Sequence, residues 1–142
     1  MRVGAVEQSE LDQLCPRNRE VQAIADAVAA DVRASGNYFD EQDFGNKVHV
    51  GIAGIINARK DPNFVAEKSY DAMTGTIARY GARGSIRLDV LEHSQPSTVC
   101  VYDHKTGNAF LRGPRSVDIV TVVQRRFPDM LRYILIQIKP MT

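Results

Sequence analysis

The chain has no tryptophan, two cysteines and three histidines in 142 residues, and each shortage removes a class of function. Two cysteines cannot build the multi-bridge framework of a small secreted scaffold, and they form no C-x-x-C pair. Cys100 lies in an apolar run and Cys15 precedes a proline in a polar stretch, which reads as two free thiols in a reducing compartment, with a Cys15 to Cys100 bridge as the alternative. His49, His93 and His104 are scattered without a zinc spacing. No apolar run approaches the ~20 residues needed to span a bilayer, so no membrane insertion is expected. The N-terminus lacks a cationic-then-apolar leader, so these residues carry no signal peptide. Nor is there an excess of either charge: eighteen basic and seventeen acidic side chains leave a net charge of +1, unlike a polyelectrolyte tail. Gly81-Ala-Arg-Gly84 is too short for a phosphate or dinucleotide loop and precedes a strand, and no nucleophile elbow is present.

What remains is an ordinary globular composition, long enough to bury one core without staples. Residues 1–16 read as a linker or ragged segment closed by Pro16, and residues 17–142 as a single domain. Val21, Ile24, Ala25, Val28 and Val32 recur at helical spacing from Arg17 to Ser35, and Gly36 stops the run. A second helix is expected from about Asp40 to Arg59, with acids in its first turn and Phe44, Val48, Ile52, Ile55 and Ile56 inward. Gly45, Gly51 and Gly54 weaken it and leave room for close packing. Asn63 to Tyr70 reads as a strand, followed by a glycine-rich connection and two further strands around Ser85–Glu92 and Val99–Lys105. A third helix should open at Pro114 with Ser116 as its N-cap and Val117, Val120, Val123 and Phe127 inward. The run Tyr133–Ile138 is apolar on both faces, as in a strand covered on both sides. The predicted class is α/β, a mixed four-stranded sheet flanked by helices, with an extra N-terminal helix.

Two of these strands carry charge where apolar residues would be expected. Side-chain alternation puts Val99, Val101, Asp103 and Lys105 on one face, and Asp89 on a face with Arg87 and Leu91. A hairpin centred near His93 to Pro96 sets Asp89 opposite Val101 to Asp103. Two carboxylates and an ammonium then converge, which suits a divalent metal. Arg79, Arg83 and Arg87, with Arg112, Arg115, Arg125 and Arg126, make a local positive surface. The plainer alternative is a set of ion pairs among Asp89, Arg87, Asp103 and Lys105.

This order and these residues resemble the PD-(D/E)XK, or restriction-endonuclease-like, nuclease superfamily, with its αβββαβ core. Asp89 matches the first acidic position, at the end of the second core strand, and Asp103-His104-Lys105 matches the D-x-K of the third; the proline of the motif is absent. The likeness covers roughly residues 40–139. More narrowly, Glu67-Lys-Ser-Tyr70, Gly84-Ser-Ile-Arg-Leu-Asp89, Tyr102-Asp-His-Lys-Thr-Gly107 and Ile138-Lys-Pro140 resemble nuclease domains at the C-termini of bacterial polymorphic toxins. The resemblance implies a metal-dependent DNase delivered within a larger toxin to the cytoplasm of a target cell, with a cognate immunity protein as partner. A tRNA-cleaving RNase or a silent binding module of the same fold are the alternatives. Asp89, Asp103 and Glu67 would hold Mg²⁺ or Mn²⁺ rather than Zn²⁺, with help from the His104 carbonyl. Lys105 would orient the attacking water or stabilise the phosphorane. Glu67 is expected to share a face with Val65 and Ser69, with an exposed ion pair as its other reading. Arg83, Arg87, Arg112 and Arg115 would hold backbone phosphates. Glu41 and Asp43 are further helix acids that equally favour the helix N-terminus, His49 is taken as structural, and Gln124 and Gln137 carry no assignment.

Overall fold

The computed structural model describes residues 6–141; the first five residues of the expected linker lie outside them. Helix α1 (Gln8–Leu14) precedes α2 (Asn18–Ser35) and α3 (Glu41–Asn57). Strands β1 (Phe64–Asp71), β2 (Ile77–Ala78), β3 (Ser85–Gln95) and β4 (Thr98–His104) follow, then α4 (Gly113–Arg126) and β5 (Arg132–Ile138). No helix among the described residues is long and apolar enough to cross a membrane.

The three long helices follow from their apolar spacing. In α2, Val21, Ala25, Val28 and Ala29 are buried, and Gly36 takes a left-handed φ of 65° at the C-cap. Asp40 caps α3 by accepting from the Asp43 N–H at 2.8 Å, and Phe44, Val48, Ile52 and Ile56 form one buried stripe four residues apart. Helix α4 departs from expectation. Arg112 is its N-cap and Pro114 sits in its first turn, while the Ser116 hydroxyl donates back to the Arg112 carbonyl from inside the helix. Its buried side is Ile119, Val122 and Val123, leaving Val117 exposed.

The sheet order is β2-β1-β3-β4-β5, antiparallel except for the parallel β4–β5 pair that α4 connects. It therefore has five strands, not four: Ile77 and Ala78 pair with Tyr70 and Ser69 at the edge, a two-residue strand too short to leave a periodic signal. One layer packs α2 and α3 against Phe64, Ala66, Val90, Cys100, Tyr102 and Ile138. The other packs α4 against Tyr70, Leu88, Leu91, Val99 and Val101. Strand β5 serves both, through Ile134 and Ile136 on one side and Tyr133 and Leu135 on the other.

One further correction concerns the N-terminal segment. Cys15 and Cys100 form a disulfide across 85 residues, so the reading of two free thiols is overturned. Cys15 follows a two-turn helix with no buried residue, whose Leu11 and Leu14 pack on the α2–α3 layer, which brings its sulfur under β4. That long-range packing is invisible to a reading of local polarity.

Close approach of α2 and α3 depends on Gly51, where a Cβ would lie 2.6 Å from Cγ1 of Val28. A Cβ at Gly54, three residues on, would meet nothing within 4 Å. Chemical denaturation should therefore separate two identical substitutions in one helix. Gly51→Ala is expected to lose about 1–3 kcal/mol through overpacking, whereas Gly54→Ala is expected to gain up to about 1 kcal/mol of helix propensity.

Candidate metal centre

Three carboxylates lie in a row across the sheet. The β1–β3 register pairs Ala66 with Val90 and Lys68 with Leu88, so Glu67 stands opposite Asp89. The β3–β4 register pairs Val90 with Tyr102 and Leu91 with Val101, and one more step sets Asp89 opposite Asp103, as the hairpin reading expects. Asp103 in turn pairs with Gln137 on β5. Asp89 is the fifth of eleven residues in β3, not at its end.

Strict alternation fails at both outer members of the β1–β3 pair. Val65 packs in the α4 layer and Ala66 in the α2–α3 layer, yet Glu67 also reaches α3. Leu88 and Leu91 both pack under α4, while Asp89 and Val90 both turn to α3. Glu67 accordingly does not share a face with Val65, nor Asp89 with Leu91. The slip coincides with a left-handed φ of 55° at Glu67, a conformation that ordinarily costs a non-glycine residue about 1–3 kcal/mol.

The consequence is a cluster that the sequence reading did not assemble. His49, on the rim of the α3 stripe, places Nδ1 3.5 Å from Asp89 Oδ1 and 3.6 Å from Glu67 Oε1. One ligand atom from each of His49, Glu67 and Asp89 lies within 4.8 Å of the other two. A divalent ion bonded at about 2.1 Å to adjacent ligands holds them about 3.0–3.4 Å apart, so a small contraction would suit these three. Their orientation is already partly fixed. Asp89 Oδ2 accepts the His104 N–H at 2.8 Å. Glu67 Oε2 is 2.9 Å from Arg87 Nε, but not in line for a hydrogen bond, so this buried oxygen keeps free lone pairs.

Asp103 lies beside that group rather than in it. It is 1% exposed, with Lys105 Nζ 3.0 Å from Oδ2 and an Arg115 nitrogen 3.7 Å from Oδ1. Arg115 also donates to the Arg87 carbonyl at 2.6 Å, joining α4 to β3. Of the expected phosphate-holding residues, Arg87 and Arg115 touch site carboxylates, whereas Arg83 and Arg112 form no ion pair among the described residues. Glu41 pairs with Arg33 at 3.0 Å and Asp43 with Lys47 at 3.5 Å, both away from the cluster. The Gln137 side chain accepts the Leu111 N–H at 2.5 Å, and Gln124 is exposed on α4.

The charges polarise one another. Burial alone would lower the His49 imidazole, but Asp89 and Glu67 outweigh it and raise the group to about 9. Burial would likewise raise Asp89, yet His49 and the His104 N–H hold it below its ordinary value. Asp103 is raised, by burial first and by the Asp89 charge second, against the pull of Lys105 and Arg115. His104 is driven down to about 4 by burial, aided by the charges of His49 and Lys105 and opposed by Asp89. It is therefore neutral, with both ring nitrogens buried and unpartnered and its ring 5.5 Å from that of His49.

His49 is the member of the cluster that the sequence reading takes as structural. Its available signal was its position one residue beyond Val48, at the edge of the buried stripe rather than inside it. In chelator, its ring resonances should titrate near pH 9 and those of His104 near pH 4. Because the folded value of His49 stands above the ordinary 6.5, its pairing stabilises fully below that pH and is lost as pH rises through about 9. Metal-free wild type should lose stability across that window and His49→Gln should not; a ring that titrates near 6.5 would show that the carboxylates do not hold it. No protein-family model matches the chain, and comparison with curated proteins and with solved structures likewise gives no match.

Proposed function

We propose that this chain is a metal-dependent nuclease that hydrolyses phosphodiester bonds at the centre formed by His49, Glu67, Asp89, Asp103 and Lys105. The observation that carries the reading is the His49, Glu67 and Asp89 cluster, whose ligand atoms lie within 4.8 Å of one another beside a D-x-K strand. The order α3, antiparallel β1–β3–β4, α4, and β5 parallel to β4 supports the restriction-endonuclease-like reading of the core.

Each residue has a role that follows from its place. His49, Glu67 and Asp89 hold the divalent ion, and the His104 N–H fixes the Asp89 carboxylate. The ion, when bound, neutralises charge on the phosphate and supplies hydroxide near neutral pH. Lys105, 3.0 Å from Asp103, is kept next to the reacting phosphate, where its ammonium orients the nucleophile or meets the developing charge. Arg87 and Arg115, which touch Glu67 and Asp103, would supply positive charge to the phosphate. An imidazole nitrogen in the ligand set favours Mn²⁺ or a similar transition ion over Mg²⁺, which prefers an all-oxygen octahedron. The wider reading is a DNase domain of a delivered toxin, neutralised by an immunity protein in the producing cell, with RNA as the other substrate.

The rival reading is a silent binding module. It draws on the same ion pairs, since His49 with the two carboxylates and Lys105 with Asp103 satisfy one another without a metal. Supercoiled DNA and tRNA, each incubated with Mn²⁺, Mg²⁺ or chelator, separate the two. The nuclease reading expects metal-dependent cleavage of at least one substrate. Asp89→Ala and Glu67→Ala should weaken Mn²⁺ binding by at least about tenfold. Lys105→Ala should retain Mn²⁺ binding and lose about 10²–10³ in kcat. Metal-independent binding without cleavage would favour the module.

A further inference from the structure

Two aromatic rings stand exposed at opposite ends of the carboxylate row, and each has an arginine against it. Tyr80, 65% exposed, lies 5.2 Å from the Arg87 guanidinium, which also donates to its hydroxyl at 2.9 Å. That same guanidinium reaches Glu67 at 2.9 Å, so Tyr80 is tethered to the β1 end of the row. Phe110, 57% exposed, lies 5.4 Å from the Arg112 guanidinium. The next residue, Leu111, is bonded to the side chain of Gln137, which pairs with Asp103, so Phe110 is tethered to the β5 end. The row from β1 to β5 spans three strand spacings, roughly 14 Å.

We propose that Tyr80 and Phe110 are base-stacking platforms and that the centre acts on unpaired nucleotides, in single-stranded DNA or RNA, rather than on intact duplex. The inference rests on the nuclease reading for the cleavage step but not for binding. Most of the other arginine–aromatic contacts use buried rings such as Phe44, Phe64 and Tyr70, where no ligand can reach. These two rings are open to solvent and lie beside cations that suit phosphates. A strand laid along the row places its backbone near Arg87 and Arg115 and can turn successive bases onto the rings, because every base offers an aromatic face. Duplex bases have both faces covered by their neighbours and would leave the rings unused. Hydrolysis then joins the water oxygen to phosphorus and breaks one ester P–O bond, the leaving oxygen taking the proton that the water gives up.

The test is fluorescence anisotropy in chelator, where no cleavage occurs, with labelled twelve-residue oligonucleotides as single strands and as duplexes, in DNA and RNA forms. The expected result is tighter binding of single strands, with Tyr80→Ala and Phe110→Ala each weakening it about tenfold and leaving duplex binding unchanged. Tyr80→Trp should restore single-strand affinity and Tyr80→Leu should not, which separates stacking from simple apolar contact. Both rings are exposed, so the variants should fold, and thermal melts check this. Equal loss for duplex and single strand, or no loss, overturns the platform. Metal-dependent cleavage that persists unchanged in both alanine variants would overturn it while leaving the nuclease reading intact. Ring-dependent single-strand binding with no cleavage under any metal would do the reverse. A difference between the DNA and RNA arms identifies which sugar the site accepts.

Discussion

Glu67 holds a left-handed backbone in the middle of a strand whose pairing with β3 has the same register on both sides of it. An inserted residue would have changed that register, so the distortion is local and is matched by Asp89 on the facing strand. Both carboxylates turn from where alternation would put them toward His49 on α3. The two acids share the His49 imidazole, and Glu67 also faces the Arg87 guanidinium. A backbone arrangement that is unfavourable in itself, and that brings like charges together, is the pattern expected where a site is held ready for a cation.

The opposite ends of β3 and β4 show how the same fold treats a buried acid that has only a structural task. Glu92 is completely buried, yet its two oxygens accept the Tyr102 hydroxyl and the Arg17 N–H. Arg17 is brought there by the turn after Cys15, whose disulfide to Cys100 pins that segment against β4. Every polar atom of that carboxylate is satisfied, as burial requires. Nearer the site, Glu67 Oε2 on β1 and Asp103 Oδ2 on β4 face cations without forming hydrogen bonds, and both ring nitrogens of His104 are buried without partners. One end is closed and the other is left chemically open.

Much of this was legible in the sequence. The stripes of α2 and α3 are periodic, and a hairpin between β3 and β4 brings Asp89 near Asp103, although a register shift between Glu92 and Gln95 sets the final pairing. What escaped had non-local causes. Residues in β2 are strand only because Ser69 and Tyr70 lie beside them. The Cys15–Cys100 bridge depends on a short helix docking across 85 residues of chain. The inward face of α4 moved because the helix begins at Gly113, where Pro114 fits the first turn and Ser116 is already inside. His49 was discounted because a lone histidine near an apolar stripe is usually structural; its neighbours on β1 and β3 are eighteen and forty residues away. The slip in alternation that brings them to it has no signature in residue type, since glutamate is a poor candidate for a left-handed φ.

Charge balance at the centre connects these features to the proposed chemistry. His49 carries a proton in the metal-free centre and must release it to bind an ion; three carboxylates then face three fixed cations, Arg87, Lys105 and Arg115, each within 4.0 Å of an acid. A centre so balanced tolerates burial, which an unpaired set of three acids would not. A dication then brings a surplus of two positive charges, equal in magnitude to the total charge of the dianionic phosphorane formed when hydroxide adds to the phosphodiester monoanion. The arginines and lysine are thus needed twice, first to let the acids be buried without the ion and then to present the surplus to the phosphate. Removing any one of them shifts both balances together, which is why the cationic side chains of this centre act as parts of the site rather than as solvated decoration.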